Sequence, residues 1–261
     1  MASIQFIIVT YQSKQDVLAK LLTQVGDMSS IIIDNTEETF LNLDFKLQKN
    51  QKIIRNNKNV GYSEGVNIGT QYALEEKADW IVIINQDLHV TKKAVYALEK
   101  ALLHCTPGIA GLFAGKLDKK RWTTILPSKK VDYISGSCMA IHRSVFDKIG
   151  NFYKPYFMYY EDADFCVRAK NTGFPLIHVS IAGISHNETT SLGRGSFLHQ
   201  YYLARNHLLF VERNAPTGVK LHELMRLPKT IWEHLNRKEW GALVGIRDYF
   251  LRRFGIYKPL L

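Results

Sequence analysis

The sequence predicts an α/β protein in which a mostly parallel central sheet is flanked by helices and followed by a helical C-terminal tail. Three short runs rich in β-branched residues, at 4–10, 31–33 and 81–84, are typical of parallel strands that are buried on both faces. Apolar residues at helical spacing follow the first and the third run. This alternation of strand and helix favours a parallel sheet with crossover helices.

Length and composition are those of an ordinary globular protein. The chain has 261 residues, of which 46% are hydrophobic and 22% are charged. We expect a catalytic domain over residues 1–215 and a basic amphipathic helical extension over 216–261. The three cysteines, Cys105, Cys138 and Cys166, have no metal-like spacing, which disfavours a zinc site or a disulfide framework and favours a reducing compartment.

The sequence shows neither a signal-peptide pattern at its start nor an apolar run long enough to cross a bilayer. We therefore expect a cytoplasmic protein, peripheral at the inner face of the cell membrane if the tail binds lipid. The formal net charge of +10 favours an anionic partner, and nucleic acid, lipid headgroups and nucleotide sugars all qualify. Because nothing but charge points to nucleic acid, we do not expect nucleic-acid binding.

Polar residues follow the run at 81–84, which we expect to be the central strand. Asn85, Gln86 and Asp87 would lie at its carboxyl end, where open α/β sheets bind ligands. A carboxylate at that position can hold a hard cation that also binds a diphosphate. The alternative is a simple polar turn, because motifs this short often match by accident.

Two further stretches follow the same logic. Asp34 and Asn35 end the run at 31–33, and Asp34 either accepts a hydrogen bond from a base or ribose hydroxyl or forms an Asx turn. Gly61, Gly65 and Gly69 do not have the spacing of the dinucleotide motif, which disfavours a nicotinamide enzyme. They predict a tight turn that leads into a helix, with the glycines either allowing close approach of a ligand or serving packing alone.

Three carboxylates open the helix that Gly173 closes. Glu161, Asp162 and Asp164 either complement the helix dipole or form a catalytic group, because mutual repulsion and flanking aromatic residues would raise their pKa values. Glu161 and Asp164 share a helix face, which leaves Asp162 aimed at whatever the preceding loop covers.

Small residues and a histidine mark two other positions. Ser135, Gly136 and Ser137 lie inside a predicted strand over 131–142, where a ligand or another group could approach the backbone closely. His186 follows the last predicted strand, over 174–179. It is either an ordinary surface or core histidine or a ligand that completes a metal site.

The tail over 218–261 is basic and rich in apolar residues, with nine lysines and arginines against four acidic residues. Helices of this composition suit an anionic membrane surface. The alternatives are helices buried in a homodimer or a cap on the catalytic domain, and the sequence does not decide among them.

Six motifs together resemble the inverting glycosyltransferases of family 2, which have the GT-A fold with a Rossmann-like sheet. The resemblance spans residues 4 to about 210 and is greatest to the bacterial rhamnosyltransferase-like branch that builds surface polysaccharides. The motifs are Ile-Val-Thr-Tyr at 8–11, Asp-Asn at 34–35, Asn-x-Gly-x-x-x-Gly-x-Asn at 59–67, Asn-Gln-Asp at 85–87, Ser-Gly-Ser at 135–137 and Tyr-Tyr-Glu-Asp-Ala-Asp-Phe at 159–165.

The resemblance implies a nucleoside-diphosphate sugar donor, a glycan or lipid-linked acceptor and Mg²⁺ or Mn²⁺ as cofactor. It implies that Asp87 and His186 bind the metal and that Asp162 is the catalytic base, with Glu161 as the second catalytic candidate. Asn85 stands where the family has the first acid of its metal motif, which lowers the local negative charge. The implied nucleotide-sugar site comprises Thr10, Tyr11, Asp34, Asn35, Asn59, Gly61, Asn67, Asn85, Gln86 and Gly136.

From the resemblance alone, dTDP-rhamnose is the leading donor, with UDP-hexoses and UDP-N-acetylhexosamines behind it. The alternative function is a nucleotide-sugar-binding protein or nucleotidyltransferase that does not transfer sugar. The sequence lacks the glycine-rich, basic N-terminal loop that we would expect for nucleotidyl transfer.

Overall fold

A computed structural model describes residues 2–37, 47–186 and 193–259 of the chain. Its strands are β1 (Ile4–Thr10), β2 (Ser30–Asp34), β3 (Gln51–Arg55), β4 (Trp80–Asn85), β5 (Leu88–Val90), β6 (Ile109–Gly111), β7 (Ala114–Leu117), β8 (Thr124–Ile125), β9 (Tyr133–Ile134), β10 (Cys138–His142), β11 (Leu176–His178) and β12 (Ile184–His186). Its α-helices are α1 (Gln15–Val25), α2 (Tyr62–Glu75), α3 (Lys92–Leu102), α4 (Arg143–Ile149), α5 (Glu161–Asn171), α6 (Phe197–Asn214), α7 (Thr217–Asn236) and α8 (Trp240–Phe250).

The central sheet has seven strands in the order β11-β6-β10-β4-β1-β2-β3, with β4 in the middle. Strands β4, β1, β2 and β3 run parallel, and β10 runs antiparallel to both of its neighbours. The predicted α/β class, the mostly parallel sheet and the central position of β4 are confirmed. Because Val9 pairs with Asn85 and Thr10 pairs with Asp34, the carboxyl ends of β1, β2 and β4 lie at one edge.

Side chains of β1 alternate between two apolar cores, one on each face of the sheet. Ile7 belongs to the core covered by α2 and α5, and Ile8 belongs to the core covered by α1 and α3. A Cβ atom on Gly69 would lie 2.6 Å from Cγ2 of Ile7, and one on Gly65 would lie 2.8 Å from Cγ1 of Val9. These two glycines therefore serve the close packing of α2 on β1.

A two-stranded antiparallel sheet lies beside the edge where β4 ends. Strand β5 pairs with β12, so that His186 lies opposite Leu88. This pairing brings His186 next to the polar residues that follow β4. The prediction that the strand over 174–179 is the last one is wrong, because β12 follows it and His186 is its final residue.

The predicted strand over 131–142 is interrupted. Tyr133–Ile134 and Cys138–His142 form separate strands, and Ser135, Gly136 and Ser137 form the turn between them. The small residues at 135–137 therefore mark a break in the predicted strand. Thr91 caps α3, since its hydroxyl accepts a hydrogen bond from the backbone N–H of Ala94.

The C-terminal helices differ in how they pack. Helix α8 lies against α6, where Gly241 and Gly245 allow close contact because a Cβ on either would overlap the backbone carbonyl of Phe197 or Tyr201. Helix α7 has one buried residue, Glu223. Within the described ranges, no helix combines the length and apolar character that crossing a membrane requires.

Candidate active site

One cavity of about 540 Å³ lies at the carboxyl ends of β1 and β4. Asp87 and His186 line it, and so do Glu161 and Asp162. Asp87 and the pair Glu161 and Asp162, which are far apart in the sequence, thus share one cleft. Crevices at this end of a parallel sheet are where open α/β proteins bind ligands.

The corner formed by β4, β5 and β12 holds the candidate metal ligands. His186 Nε2 lies 3.2 Å from Asp87 Oδ1 and 3.4 Å from Asn85 Nδ2. The amide oxygen of Asn85 is buried and has no hydrogen-bond partner among the described residues. This orphaned oxygen, a carboxylate and an imidazole are ligands that suit Mn²⁺, and the oxygens also suit Mg²⁺.

No group of three or more His, Cys, Asp or Glu side chains placed to hold a metal occurs among residues 2–37, 47–186 and 193–259. The corner at Asp87 and His186 has two such side chains. A cation held there would therefore need further oxygen ligands, which Asn85, water or a diphosphate can supply. The residues present fit a divalent cation that the protein shares with an anionic ligand.

The side chain of Gln86 ties the ends of β4 and β1 together. Its Oε1 accepts a hydrogen bond from Tyr11 N at 3.1 Å, and its Nε2 donates to Tyr11 O at 3.5 Å. Tyr11, which lines the cavity, is thereby fixed at the strand end. Thr10 is buried below it and donates to Asp34 Oδ1 at 3.3 Å.

A hydrogen-bonded turn around Gly61 forms another part of the lining. Asn59 Oδ1 accepts from Gly61 N at 3.0 Å, and Asn35 Nδ2 donates to Gly61 O at 3.0 Å. Gly61 has a φ of 86°, and a Cβ there would overlap the ring of Phe157. Only glycine satisfies both conditions without strain. Asn35, Asn59 and Gly61 all line the cavity, as do Asn85, Gln86 and Gly136.

Asp34 and Asn67, two residues of the predicted nucleotide site, do not line the cavity. Asp34 is fully buried and accepts from the hydroxyl of Thr10 and from Thr36 N. Asn67 is also buried and bonds to both backbone groups of Phe152, at 2.9 and 3.0 Å. Both polar groups of the Asn67 amide are used within the chain, whereas Asp34 Oδ2 has no hydrogen-bond partner among the described residues.

Asp162 is held by two backbone N–H groups. Its Oδ2 accepts from Gly136 N at 2.9 Å and its Oδ1 accepts from Ala163 N at 2.8 Å. Tyr62, whose hydroxyl donates to Gly136 O at 2.8 Å, fixes the same turn. The group that approaches the backbone at the small residues is therefore the carboxylate of Asp162.

Burial is the main influence on the pKa values of Glu161 and Asp162. It raises the pKa of Asp162, and the hydrogen bonds from Gly136 and Ala163 partly offset that rise. Burial and the charge of Asp162 raise the pKa of Glu161 well above its ordinary value. Glu161 Oε2 has no hydrogen-bond partner within the described residues. Because Asp162 accepts two backbone N–H bonds and Glu161 Oε2 accepts none among the described residues, the negative charge of the pair is favoured on Asp162.

Asp164, the third carboxylate, has a different role. It is fully buried, and its Oδ2 accepts from Arg168 Nε at 2.8 Å. Its Oδ1 accepts from Tyr156, Arg213 and Asn214 at 2.8 to 3.1 Å. Asp164 therefore anchors α5 to α6, and the catalytic candidates are its two neighbours.

No protein-family model matches the chain. The low-salt glycan biosynthesis hexosyltransferase Agl10 of Haloferax volcanii is 27% identical, over 79% of this chain and 74% of the relative. The dTDP-rhamnosyl transferase RfbF of Shigella flexneri is 24% identical, over 86% and 85%. The N-acetylglucosaminyl-diphospho-decaprenol L-rhamnosyltransferase of Mycobacterium tuberculosis is 37% identical, over 33% of this chain and 29% of the relative.

Solved structures agree with this relationship in fold. TarS of S. aureus, solved with UDP-GlcNAc, superposes with a TM-score of 0.58 over 95% of this chain and 80% of that chain, at 13% identity. The mannosyltransferase PcManGT of Pyrobaculum calidifontis, solved with GDP-Man and Mn²⁺, gives 0.56 over 95% and 74%, also at 13% identity. The chain has the fold of GT-A glycosyltransferases, and its sequence is similar to that of named hexosyl- and rhamnosyltransferases.

In this GT-A fold, the loop before Glu161 has a strained backbone. Phe157, Tyr159 and Tyr160 have φ values of 67°, 65° and 70°, in the left-handed region that bulky residues rarely adopt. Each such residue costs on the order of 1–3 kcal/mol and persists only where its surroundings hold it. Since Tyr160 immediately precedes the catalytic candidates, this conformation sets their position.

Two adjacent buried residues of α6 hold the strained loop. Asn206 Nδ2 donates to the carbonyls of Tyr156, Met158 and Tyr159 at 2.9, 2.6 and 3.0 Å. Arg205 Nη2 donates to Tyr156 O at 2.9 Å. Neither residue was predicted to support the site. Their signal in the sequence is an arginine and an asparagine between aromatic and apolar residues, over 201–210.

Other lining residues were also missed. They come from loops, short strands and the helices α2 and α6, so that only the tertiary fold brings them together. Most are aromatic or polar, as is common where a ligand must be oriented. They include Tyr62, Thr124, Tyr133, Tyr159, Arg194 and His199.

Proposed function

We propose that the chain is an inverting, metal-assisted glycosyltransferase of bacterial surface polysaccharide synthesis. It moves rhamnose or another hexose from a nucleoside-diphosphate sugar to a glycan or lipid-linked acceptor. The observation that carries this proposal is the single cavity that Asp87, His186, Glu161 and Asp162 all line. Sugar transfer needs groups of both kinds at one place, one for the leaving diphosphate and one for the acceptor hydroxyl.

On the donor side, Asp87 and His186 would hold Mg²⁺ or Mn²⁺, with the amide oxygen of Asn85 beside them. When bound, such a cation neutralises the charge that develops on the leaving diphosphate. Tyr11 and the Gly61 turn line the same cavity and would contact the nucleotide. PcManGT was solved in complex with Mn²⁺, which supports a divalent metal in this fold.

On the acceptor side, Asp162 would act as the general base. Its oxygens accept hydrogen bonds from the backbone N–H groups of Gly136 and Ala163, which favour the negative charge on Asp162 over that on Glu161. As the acceptor oxygen bonds to the anomeric carbon, the bond from that carbon to the diphosphate oxygen breaks. The acceptor's proton passes to Asp162. A single displacement of this kind inverts the anomeric centre.

The acceptor would enter through a second cavity of about 510 Å³ between α6, α7 and α8. It shares Tyr160, Arg194, His199 and Leu203 with the first cavity, so the two adjoin. An acceptor that occupies it could extend a hydroxyl toward Asp162.

The donor proposal rests on the relatives. Two of them are named as rhamnosyltransferases, one with dTDP in its name, and a third is named as a hexosyltransferase. We therefore place dTDP-rhamnose first and UDP-hexoses or UDP-N-acetylhexosamines next.

Thermal melting with a panel of nucleotide sugars, with Mn²⁺ or with a chelator, tests the function. A donor at about 100 times its Kd should stabilise the fold by about 2.7 kcal/mol, or very roughly 5–10 °C in Tm. We expect this shift in Tm for one donor class and only with the metal. Incubation with that donor and the metal should then slowly release free nucleoside diphosphate. Release of pyrophosphate from a nucleoside triphosphate would instead favour the nucleotidyltransferase alternative.

A further inference from the structure

The outward side of α7 carries a continuous apolar stripe. Its residues recur at intervals of three, four or seven positions and therefore lie on one face of the helix. Their exposed fractions are large for apolar side chains, up to 75% for Met225. We call this set the outer stripe: Leu221 (53%), Leu224 (61%), Met225 (75%), Trp232 (61%) and Leu235 (46%).

The polar side of the same helix faces the protein. Glu223 is 5% exposed and forms a bidentate pair with Arg121 at 2.9 and 3.2 Å. Thr230 and Glu233 line the second cavity. A surface helix in water normally buries its apolar face and exposes its polar face, whereas α7 does the reverse. An exposed apolar surface of this kind marks an interaction site.

The charges around the outer stripe identify the chemistry of its partner. Lys220 and Lys229 are exposed within α7, and Arg237 and Lys238 are exposed just after it. Every acidic residue of the tail, in contrast, is paired with a cation or a histidine. The pairs are Glu223 with Arg121, Glu233 with Arg226, Glu239 with His234 and Asp248 with Arg247.

We infer that the outer stripe docks on an anionic lipid membrane. Leu224, Met225 and Trp232 would insert at the boundary between headgroups and acyl chains, while Lys220 and Lys229 would contact anionic headgroups. A second copy of the chain fits less well, because pairing two outer stripes would bring like charges together. Membrane docking does not depend on the proposed reaction. If that proposal holds, docking also places a lipid-linked acceptor near the second cavity.

The test is flotation of the full chain with vesicles. We expect binding to vesicles of phosphatidylcholine with phosphatidylglycerol, weak binding to phosphatidylcholine alone, and loss of binding at high salt. Lys220→Gln and Lys229→Gln should each weaken binding about fivefold, because each cation near an anionic surface contributes about 1 kcal/mol. Leu224→Ser with Trp232→Ser should weaken it more than tenfold.

The matched control is Tyr96→Ser with Leu103→Ser, two residues that are 47% and 42% exposed but lie in and after α3. This variant should bind vesicles as the wild type does. Because all the substituted side chains are exposed, circular dichroism should show every variant folded. Trp232 adds a direct readout, since its fluorescence should shift to shorter wavelength on anionic vesicles and the Trp232→Phe variant should lose that component.

Three results would overturn the inference. The first is equal binding to neutral and anionic vesicles, and the second is wild-type binding by the Leu224→Ser, Trp232→Ser variant. The third is a wild-type dimer in solution that this variant converts to a monomer, with no vesicle binding by either protein.

Discussion

Replacing Asn206 by alanine removes the residue that holds the strained loop before the catalytic pair. Asn206 is fully buried, and its amide nitrogen bonds to three loop carbonyls. Tyr156 O keeps a bond from Arg205, while the carbonyls of Met158 and Tyr159 lose the contact from Asn206. A buried polar group left unpaired costs about 1–3 kcal/mol, so the variant should lose about 2–6 kcal/mol of stability or let the loop relax.

Relaxation of this loop would displace Asp162, and a shift of about 1 Å in a reacting group can cost about 100-fold in rate. We therefore expect kcat of Asn206→Ala to fall by about that factor, while donor affinity by calorimetry changes little. The matched control is Asn214→Ala on the same helix, whose side chain bonds to Asp164 and Phe210 instead. It should lower Tm with a much smaller loss in kcat. A folded Asn206→Ala enzyme with wild-type kcat would show that Asn206 does not position Asp162.

Three other substitutions have distinct expected outcomes. The raised pKa of Glu161 means that the wild type loses stability as pH rises from the range of an ordinary carboxyl group through the folded-state pKa. The Tm of Glu161→Gln relative to the wild type should therefore increase as pH rises through that window. A difference in Tm between the two proteins that does not change with pH would contradict this. Gly61→Ala should lower stability in urea more than Gly150→Ala does, since both have positive φ but only Gly61 faces Phe157, and equal losses would disprove that contact. Asn85→Asp should raise Mn²⁺ affinity about tenfold by calorimetry, because a second carboxylate joins the corner, and unchanged affinity would place the cation elsewhere.

The sequence could predict the features that depend on local periodicity. The β-branched runs of β1, β2 and β4 specify buried strands, and polar residues directly after such strands must lie at one edge of a parallel sheet. For the same reason, Asp87 and Asn35 could be assigned to a ligand-binding edge. The helix-opening position of Glu161 and Asp162 was also readable from the sequence.

The missed features depend on tertiary contacts. No local pattern shows that Asp34 and Asn67 do not line the cavity, or that Asn206 holds a loop some 50 positions earlier in the sequence. Helical spacing identifies which residues of α7 share a face but not whether that face points inward or outward. The pair of Arg121 with the buried Glu223, and the position of Thr230 and Glu233 in the second cavity, show that orientation.

The most direct test compares Asp87→Ala with Asp162→Asn in two assays, donor binding by calorimetry with and without Mn²⁺, and transfer to acceptor. Asp87→Ala should lose the metal-dependent part of donor binding. Asp162→Asn should bind donor nearly as the wild type does and lose about 10²–10⁴-fold in transfer rate. Wild-type transfer by folded Asp162→Asn, or metal-dependent donor binding that survives in Asp87→Ala, would contradict the division of roles within the shared cavity.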